Sequence, residues 1–282
     1  AAAMLRPAAA IYGAVAAHRL IRPGARAGVP VLCVGNFTVG GAGKTPTAIA
    51  AAALLARMGE SPVFLTRGYG GTLRGPVRVA PAVRRAQESG DEPLLLAAAA
   101  PTIVSRDRVA GAVAAVAEGA SAIVMDDGFQ NPALAKDCAL LVVDAARGAG
   151  NGAVFPAGPL RAPLDAQLAR AHALMIVGDG DAAAPIETAA RRRGMAILHG
   201  RLVPDAGAIE RLRAAPVLAF AGIGHPQKFF STLTAAGIAL KATKVFADHH
   251  PFSESDAREL IEQANQVGAL LATTEKDAVR LR

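Results

Sequence analysis

The sequence lacks tryptophan altogether, and aromatic residues make up only 4% of its 282 positions. Because proteins that bind single-stranded nucleic acid stack its bases on aromatic side chains, this scarcity argues against nucleic acid as a partner. Cysteine is almost as rare: Cys33 and Cys138 lie far apart inside apolar runs. Neither a disulfide framework nor a cysteine-ligated metal cluster is indicated, and both thiols are predicted to be buried small side chains in a reducing cytoplasm.

Long apolar runs are also missing, since no stretch reaches the roughly 18 consecutive apolar residues that a membrane-spanning helix requires. Acidic residues are fewer than basic ones, 23 against 30, which gives a net charge of +7. A basic protein favours anionic partners, and charge alone leaves open a nucleotide, a phosphorylated substrate, nucleic acid or an acidic lipid surface. The basic residues are scattered, which again disfavours nucleic acid. No obligate protein partner is evident.

The most informative stretch is 31–46, VLCVGNFTVGGAGKTP, in which an apolar run breaks into a glycine-rich loop before an alanine-rich helix predicted over 47–58. This order is typical of a phosphate-binding loop, in which backbone N–H groups surround phosphate oxygens, a lysine reaches the β- and γ-phosphates and a hydroxyl binds Mg²⁺. One departure is a threonine where the common pattern has its first glycine. The sequence predicts ATP and Mg²⁺ as ligands. The predicted nucleotide-binding residues are Thr38, Gly40, Gly41, Ala42, Gly43, Lys44, Thr45 and Pro46.

A second apolar strand, predicted over 122–125, runs directly into Asp126 and Asp127. Carboxylates at such a strand end hold Mg²⁺ in phosphate-loop enzymes, so we predict a metal site formed by these two residues and Thr45. A polar junction between strand and turn is the alternative. A later loop, 145–163, is long and rich in glycine and proline, which is typical of a functional loop in a compact enzyme.

Predicted strands alternate with predicted helices along the whole chain, which indicates an α/β fold with mainly parallel sheets and right-handed crossovers. We predict two α/β/α domains. Residues 1–180 form the first, which resembles a phosphate-loop NTPase, and residues 181–282 form a smaller second one. The boundary is placed at the Gly-Asp-Gly-Asp turn, 178–181.

The segment 1–24, AAAMLRPAAAIYGAVAAHRLIRPG, contains the apolar run 8–17 with basic residues on both sides. Three interpretations stay open: an interfacial helix whose arginines contact anionic lipid, a surface helix packed on the domain, and a secretory signal peptide. A phosphate loop that needs cytosolic ATP argues against export. The interfacial helix is favoured.

Histidines that follow predicted strands are candidates for a site, because ligand-facing loops of open α/β sheets lie at the carboxyl ends of strands. His225 follows one such strand, and His249 and His250 follow another. The spacing of the histidines does not support a zinc site. The remaining three, His18, His172 and His199, are predicted to be structural.

In sequence order the chain contains the motifs GNFTVGGAGKTP, TRGYGG, SGDEP, SRDR, DDGFQ, PAGPLR, FAGIGHP, DHHPF and TEKDAVR. This ordered set resembles the tetraacyldisaccharide 4'-kinases of lipid A biosynthesis, from about Ile11 onward. Each motif alone is weak, and their order makes the resemblance specific. It implies two α/β/α domains joined by a hinge, and transfer of phosphate from ATP to the 4'-hydroxyl of a tetraacylated glucosamine disaccharide 1-phosphate.

The resemblance also implies roles for individual residues. Asp91 matches the proposed catalytic base and His249 the second-domain histidine thought to pair with it, while Lys44 acts on the transferred phosphate. Gln130 matches a residue at the nucleotide and metal site. Many relatives read GPLREP where this chain has Ala162, so no carboxylate acts at that position here. The residues expected to bind substrate are Arg67, Tyr69, Glu92, Arg108 and Arg161.

By the same resemblance, Asp126 and Asp127 are the metal-proximal pair. The acceptor is then the lipid A disaccharide precursor. The protein is expected to be peripheral, at the anionic cytoplasmic face of the bacterial inner membrane, with an N-terminal helix that meets the bilayer. The interfacial interpretation of 1–24 agrees with this location.

Other classes of protein remain as alternatives. Partitioning-type ATPases share GGxGKT, but they place a lysine just before the glycine pair, where this chain has Val39. A nucleotide-dependent membrane-binding module would need the phosphate loop but would have no use for Asp91 and His249. A GTPase is disfavoured, because the segment 274–277, Thr-Glu-Lys-Asp, does not match the N/T-K-x-D pattern of guanine recognition.

Overall fold

The computed structural model describes residues 4–80 and 85–281. Their strands are β1 (Val31–Asn36), β2 (Pro62–Thr66), β3 (Val77–Arg78), β4 (Thr102–Val104), β5 (Ala122–Asp126), β6 (Cys138–Asp144), β7 (Ala173–Val177), β8 (Ala196–Gly200), β9 (Val217–Ala221), β10 (Leu240–Val245) and β11 (Leu270–Ala272). Their helices are α1 (Arg6–Leu20), α2 (Lys44–Arg57), α3 (Ala86–Ser89), α4 (Asp91–Ala99), α5 (Arg108–Ala117), α6 (Leu164–Leu168), α7 (Ala184–Arg191), α8 (Ala206–Leu212), α9 (Pro226–Ala235), α10 (Glu254–Gln266) and α11 (Glu275–Ala278). The predicted α/β class is confirmed.

The larger sheet has eight strands in the order β3-β4-β2-β5-β1-β6-β7-β8. Its strands are parallel except β3, a two-residue edge strand that runs antiparallel to β4 and was not expected from the sequence. β1 lies between β5 and β6, and its residues Cys33 and Val34 have no exposed surface. A continuous apolar run is what a parallel strand covered on both faces requires.

Helices cover both faces of this sheet. On one face, alanines of α2 join Val34, Phe64 and Val124 in one core cluster. On the other face, alanines of α5 join Leu65 and Met125. Small side chains let a helix approach the sheet closely, which is how a sequence rich in alanine and free of tryptophan fills its interior.

The smaller sheet has three parallel strands in the order β10-β9-β11. The central strand β9 is buried along its whole length. Phe230 and Leu233 of α9 pack with one face of this sheet, together with Ile209 of α8, and Leu260 of α10 packs with the other. This part of the chain is therefore also layered as helix, sheet and helix.

The division between the two sheets lies later than the sequence predicts. A boundary at residue 180 assigns β8 to the second domain, but β8 pairs in parallel with β7, from Ala173↔Ala196 to Val177↔Gly200. Residues 178–181 are a loop that leads into α7, and α7 returns the chain to the same sheet. The larger sheet thus extends to the end of β8, and the sequence analysis also missed the short helix α8 that follows.

The carboxyl ends of β1 and β5 lie side by side, because these strands are parallel neighbours. The loop after β2 leads towards α4, and α4 contacts α11 from the end of the described chain. Through α4 and α11, the part of the chain that holds the larger sheet therefore contacts the part that holds the smaller one.

Candidate active site

The phosphate loop connects β1 to α2. The helix begins at Lys44, earlier than the sequence predicts, and is preceded by Gly43 with φ +88°. Gly40 has φ +104°. Both positions need the left-handed backbone region that glycine enters without strain. At Gly41, by contrast, a Cβ would meet no protein atom within 4 Å, so neither strain nor a protein neighbour requires glycine there.

Lys44 places a cation inside this loop. Its Nζ donates to the carbonyl oxygen of Gly40 at 3.2 Å and lies 3.8 Å from Asp127 Oδ1. The side-chain amide of Asn36, at the end of β1, donates to the same carbonyl at 3.0 Å. Burial lowers the pKa of Lys44, and the charge of Asp127 opposes that change.

Asp126 ends β5 directly beside the loop. The Thr45 hydroxyl donates to Asp126 Oδ2 at 3.1 Å, while Asp126 Oδ1 is buried and has no hydrogen-bond partner in the described part of the chain. Burial raises the pKa of Asp126 to about 7, and the charges of Glu92 and Asp127 act in the same direction. A buried carboxylate with an unpaired oxygen is unfavourable unless a proton or a cation compensates it.

These oxygens fit a Mg²⁺ that binds together with a nucleotide. In the described ranges, 4–80 and 85–281, no group of three or more His, Cys, Asp or Glu side chains is arranged to hold a metal by itself. Mg²⁺ in nucleotide enzymes needs no such group, because one or two carboxylates and the substrate phosphates hold it. The unpaired oxygen of Asp126 and the hydroxyl of Thr45 meet that requirement.

Asp127 adopts φ +50°, which is unusual for a residue with a side chain. Arg161 holds its carboxylate in a bidentate pair, with Nη1 2.8 Å from Oδ1 and Nη2 3.1 Å from Oδ2. The Nε of Arg161 also donates to the Thr38 carbonyl at 2.9 Å. Arg161 was predicted to lie at the acceptor substrate, whereas its contacts lie at the phosphate loop and tie the 145–163 loop to it.

Gln130 and Gln167 fasten the same two loops. The Gln130 amide donates to the Asn36 carbonyl at 2.9 Å and to Gln167 Oε1 at 3.1 Å, so Gln130 lies at the base of the phosphate loop. Gln167 is fully buried and donates to the Ala162 carbonyl at 2.7 Å. Sequence reasoning missed Gln167, because a glutamine in a short helix carries no motif. Ala162 contributes only backbone to this region.

Asp91 is the first residue of α4, and it is only 5% exposed. Gly90 before it has φ +90°, and a Cβ at that position would lie 2.3 Å from the carbonyl oxygen of Tyr69. Glycine is therefore required where the 67–71 loop packs against the start of α4. Asp91 Oδ1 accepts the N–H of Glu92 at 2.9 Å.

His249 reaches Asp91 from the smaller sheet. Its Nδ1 is 3.1 Å from Asp91 Oδ2, although the two residues are 158 positions apart. The backbone of His249 has φ +59°, and its N–H donates to the Gly222 carbonyl at 3.1 Å. Across the described residues, His249 and Asp127 are the two non-glycine positions with positive φ. Strain of this kind, of order 1–3 kcal/mol, concentrates at functional sites.

Two cations from the TEKDAVR segment also face Asp91. Lys276 Nζ is 3.8 Å from Asp91 Oδ2 and 3.9 Å from Glu92 Oε1, and Arg280 Nε is 3.5 Å from Asp91 Oδ2. The motif by itself suggests no role for either residue. Only the tertiary packing of α11 against α4 brings them here, so no local pattern could have identified them.

Two more of the residues expected to bind substrate belong to the 67–71 loop, which packs against the start of α4. Arg67 and Tyr69 are exposed, and the Tyr69 ring lies 6.2 Å from the His249 ring, edge to face. Burial raises the pKa of Glu92, and the largest opposing effect comes from the charge of Lys276. Lys44 opposes it as well. Glu92 is thus coupled to both the phosphate loop and the Asp91 region.

Arg108 differs from its neighbours because it is buried, with 2% of its surface exposed. Its Nη1 donates to the Ser105 carbonyl, whereas its Nε has no partner within the described residues. Burial lowers the pKa of Arg108, and the nearby charge of Arg67 lowers it further. The two arginines therefore form a positive region that an anion would stabilise.

The other histidines take supporting positions. His225 is the exposed N-cap residue of α9. His250 Nε2 lies 3.2 Å from Asp256 Oδ2, and the His250 ring packs against Phe246. His172 Nδ1 accepts the N–H of Ala139 at 2.9 Å, in keeping with its predicted structural role.

α1 carries its larger apolar side chains outward. Ile11, Tyr12 and Val15 are exposed, while the small residues Ala9 and Gly13 face the protein. Ordinary surface helices have the opposite arrangement, with polar side chains outward. Of the helices in the described ranges, none combines the length and apolar character needed to cross a bilayer.

Comparison with known proteins decides the family. The family model of the tetraacyldisaccharide-1-P 4'-kinases matches residues 1–282. The chain belongs to this family. Among its relatives, the tetraacyldisaccharide 4'-kinase of Rhodopseudomonas palustris (strain BisB18) is 58% identical over 279 residues, which cover 99% of this chain and 81% of the relative. That of Methylobacterium sp. (strain 4-46) is 58% identical over 280 residues, covering 99% and 84%.

A solved member of the family has the same fold. The crystal structure of the "apo" form of LpxK from Aquifex aeolicus in complex with ATP superposes with a TM-score of 0.76 at 26% sequence identity. The match covers 99% of this chain and 90% of that one. Family membership thus agrees with the resemblance carried by the ordered motifs.

Proposed function

We propose that the chain is an ATP-dependent kinase that phosphorylates the 4'-hydroxyl of a tetraacylated glucosamine disaccharide 1-phosphate, the lipid A precursor. Its place among the tetraacyldisaccharide 4'-kinases supports this activity. The observation that carries it is the contact of Asp91 with His249 beside a phosphate loop. A partitioning-type ATPase or a nucleotide-dependent membrane-binding module has no use for a buried carboxylate and imidazole at that place.

The phosphate loop holds the donor in this proposal. Its N–H groups and Lys44 bind the ATP phosphates and neutralise the negative charge that spreads over the transferred group. Thr45, Asp126 and Asp127 would hold Mg²⁺, which supplies further neutralisation of phosphate charge when bound. Arg161 keeps Asp127 in place through the bidentate pair.

Asp91 acts on the acceptor. As the sugar oxygen bonds to the γ-phosphorus and the bond from that phosphorus to ADP breaks, Asp91 takes the hydroxyl proton. His249 orients the carboxylate that accepts it. Arg67, Arg108 and Tyr69 line the acceptor side, and the unpaired Nε of buried Arg108 supports a role in binding the anionic end of the substrate.

The two sheets are proposed to act as two domains joined by a hinge. Asp91 belongs to the larger sheet unit and His249 to the smaller one, so movement between the units makes or breaks their contact. Closure on both substrates would complete the site and exclude water from the transferred phosphate.

A peripheral position at the cytoplasmic face of the inner membrane is also proposed. Ile11, Tyr12 and Val15 on the outer side of α1 are suited to the acyl region at the bilayer surface. Arg19 and Arg22 near the end of the helix are exposed and suited to anionic headgroups. The substrate itself is an anionic lipid, so this surface would hold the enzyme where its acceptor lies.

The test is transfer of radiolabelled γ-phosphate from ATP to a tetraacylated disaccharide 1-phosphate in mixed micelles, with analysis of the labelled position. Labelled lipid that carries phosphate at the 4'-position is expected. ATP binding without any lipid product, under conditions in which a relative is active, would favour a binding module instead. ATP hydrolysis without lipid product would favour an ATPase.

A further inference from the structure

A buried arginine at the end of the described chain crosses from the smaller sheet to the candidate base. Arg280 is 6% exposed, and its Nε lies 3.5 Å from Asp91 Oδ2. Asp91 is the first residue of α4 in the larger-sheet unit. Arg280 follows α11, which belongs to the smaller-sheet unit. The two buried charges therefore meet where the units contact each other.

The smaller-sheet unit fixes the Arg280 guanidinium firmly. Nη1 donates to the carbonyl oxygens of Gly222, at 3.1 Å, and His250, at 3.3 Å, while Nε donates to the Lys276 carbonyl at 3.1 Å. Nη2 forms an ion pair with Asp277 Oδ1 at 3.0 Å but makes no hydrogen bond within the described residues. The three hydrogen bonds and the ion pair hold the planar group more firmly than they would hold a flexible ammonium.

Asp277 is in turn held by hydrogen bonds from one backbone group and one side chain. It is fully buried, its Oδ1 accepts the Gly222 N–H at 3.1 Å, and its Oδ2 accepts the Thr274 hydroxyl at 2.7 Å. Gly222 directly follows β9. Arg280 is thus anchored to the end of the central strand of the smaller sheet.

The same backbone oxygen connects this anchor to the histidine. The Gly222 carbonyl accepts the His249 N–H at 3.1 Å and Arg280 Nη1 at 3.1 Å. His249 and Arg280 then both approach Asp91 Oδ2, the histidine through Nδ1 and the arginine through Nε. One peptide group therefore fixes the spacing between the two side chains that approach the carboxylate.

We infer that Arg280 is a positioning residue for the phosphoryl transfer: it holds Asp91 and His249 in register across the two units and does not itself contact the substrate. This inference rests on the proposed role of Asp91. It assigns a purpose to the TEKDAVR motif, in which Asp277 pairs with Arg280 and Lys276 supplies a second, mostly buried cation 3.8 Å from the same oxygen.

Loss of the Arg280 guanidinium should slow the transfer step. A misplacement of about 1 Å in a catalytic group can lower a rate about 100-fold, so Arg280→Gln should lower kcat by about 10- to 100-fold. The KM for ATP should stay within about 2-fold, because the phosphate loop is left intact. Arg280→Lys keeps the charge but loses the planar set of N–H donors, so its kcat should lie between those of the wild type and Arg280→Gln.

The experiment measures phosphate transfer to the lipid acceptor, ATP affinity and thermal unfolding for each full-length variant. Arg258→Gln is the matched control, because Arg258 pairs with Glu254 on the exposed face of α10, and its kcat should equal that of the wild type. Wild-type kcat in Arg280→Gln would overturn the inference. If that variant fails to fold, wild-type kcat in Arg280→Lys would overturn it.

A double variant separates positioning from general structural damage. Arg280 and His249 act through the same carboxylate, so the loss in Arg280→Gln/His249→Ala should be clearly smaller than the product of the two single losses. If the kcat loss of the double variant equals the product of the two single losses, Arg280 has a structural role only. The same conclusion follows if Arg280→Gln weakens ATP affinity by the same factor as it lowers kcat. If the wild type transfers no phosphate to the lipid, the proposed function fails first, and that result is distinct from each of these.

Discussion

The two halves of the candidate site are assembled in different ways. The nucleotide half is built on one sheet, from β1, the loop after it and the end of the adjacent strand β5. The acceptor half joins Asp91 to His249, which comes 158 residues later and from the other sheet. A site on neighbouring strands keeps its geometry as long as the sheet is folded, whereas a pair that spans two units depends on how those units are held together.

The two halves also differ in how deeply their key side chains are buried. The Lys44 side chain is 9% exposed and enclosed by its own loop, while the His249 side chain is 42% exposed. The nucleotide half thus encloses its cation, whereas the acceptor half stays open on the histidine side. Substitutions should therefore separate into those that affect ATP and those that affect the lipid hydroxyl.

The largest effect is expected from Lys44→Ala. Loss of the only ammonium in the loop removes charge neutralisation from the transferred phosphate, so kcat should fall on the order of 10³-fold and the KM for ATP should rise. The KM for the lipid acceptor should be unchanged. Steady-state kinetics with radiolabelled ATP measures all three values. Lys241→Ala, at an exposed lysine, is the control, and an equal rise in the acceptor KM would contradict the separation of the halves.

Asp91→Asn is the matching test of the acceptor half. The amide keeps the shape but cannot take the hydroxyl proton, so kcat should fall on the order of 10²-fold or more, with ATP affinity nearly intact. Transfer assays together with equilibrium binding of a fluorescent ATP analogue would establish both. Asp165→Asn, at an exposed carboxylate, should behave as wild type. Turnover near the wild-type level in Asp91→Asn would rule out Asp91 as the base.

The same contrast explains what the sequence could predict. The phosphate loop, the paired aspartates after β5 and the α/β class follow from contiguous patterns, because a glycine-rich turn between strand and helix is a local structure. The boundary near 180 was placed too early, because a loop of glycines and aspartates looks the same whether the chain leaves a sheet or returns to it. The contact of Asp91 with His249 came only from the family resemblance.

Contacts between distant elements could not be predicted from the sequence. Lys276 and Arg280 face Asp91 because α11 packs against α4, and no spacing along the chain records this. Arg161 was expected to bind the lipid acceptor, yet its guanidinium pairs with Asp127 at the phosphate loop. In both cases a long side chain extends away from its own segment. The position of a motif in the sequence therefore does not show where its charged group lies in the fold.

Replacement of Asp126, a proposed Mg²⁺ ligand, should affect only the nucleotide half. In Asp126→Asn, the Mg²⁺ concentration needed for half-maximal activity should rise at least about 10-fold, because a neutral amide replaces the buried carboxylate beside Thr45. Binding of ATP measured in EDTA should be unaffected. Mg²⁺ titrations of transfer activity, with the acceptor saturating, measure the change. An unchanged Mg²⁺ requirement would show that Asp126 is not a ligand.

α1 allows the acceptor side to be perturbed from a distance. Ile11→Asp and Val15→Asp place charges on its exposed apolar face and should weaken association with anionic vesicles by about 10-fold, with the KM for ATP unchanged. Vesicle sedimentation at fixed lipid measures this. Ile261→Asp, at a similarly exposed isoleucine on α10, is the control. Unchanged sedimentation would make α1 a structural helix only.

The smallest effect is expected at Glu92, the acidic residue coupled to both halves. Burial raises its pKa in the folded protein above the usual 4.5, so folding disfavours the ionised form. Wild-type stability should therefore fall relative to Glu92→Gln as pH rises above that value, and the two proteins should be equally stable below it. The melting temperature of Glu92→Gln should therefore exceed that of the wild type at pH 8 and approach it as the pH falls. Glu262→Gln, at an exposed position on α10, is the control substitution.

Kinetics of Glu92→Gln then bear directly on the contrast between the halves. Lys44 and Lys276 both favour the charged form of Glu92, so loss of its charge alters the field at the phosphate loop and at Asp91 together. If the halves are energetically separate, only one of the two KM values should change. A proportional change in the KM for ATP and the KM for the lipid would show instead that Glu92 couples the two halves. Because Glu92 belongs to the larger-sheet unit, this coupling would not require movement of the smaller sheet.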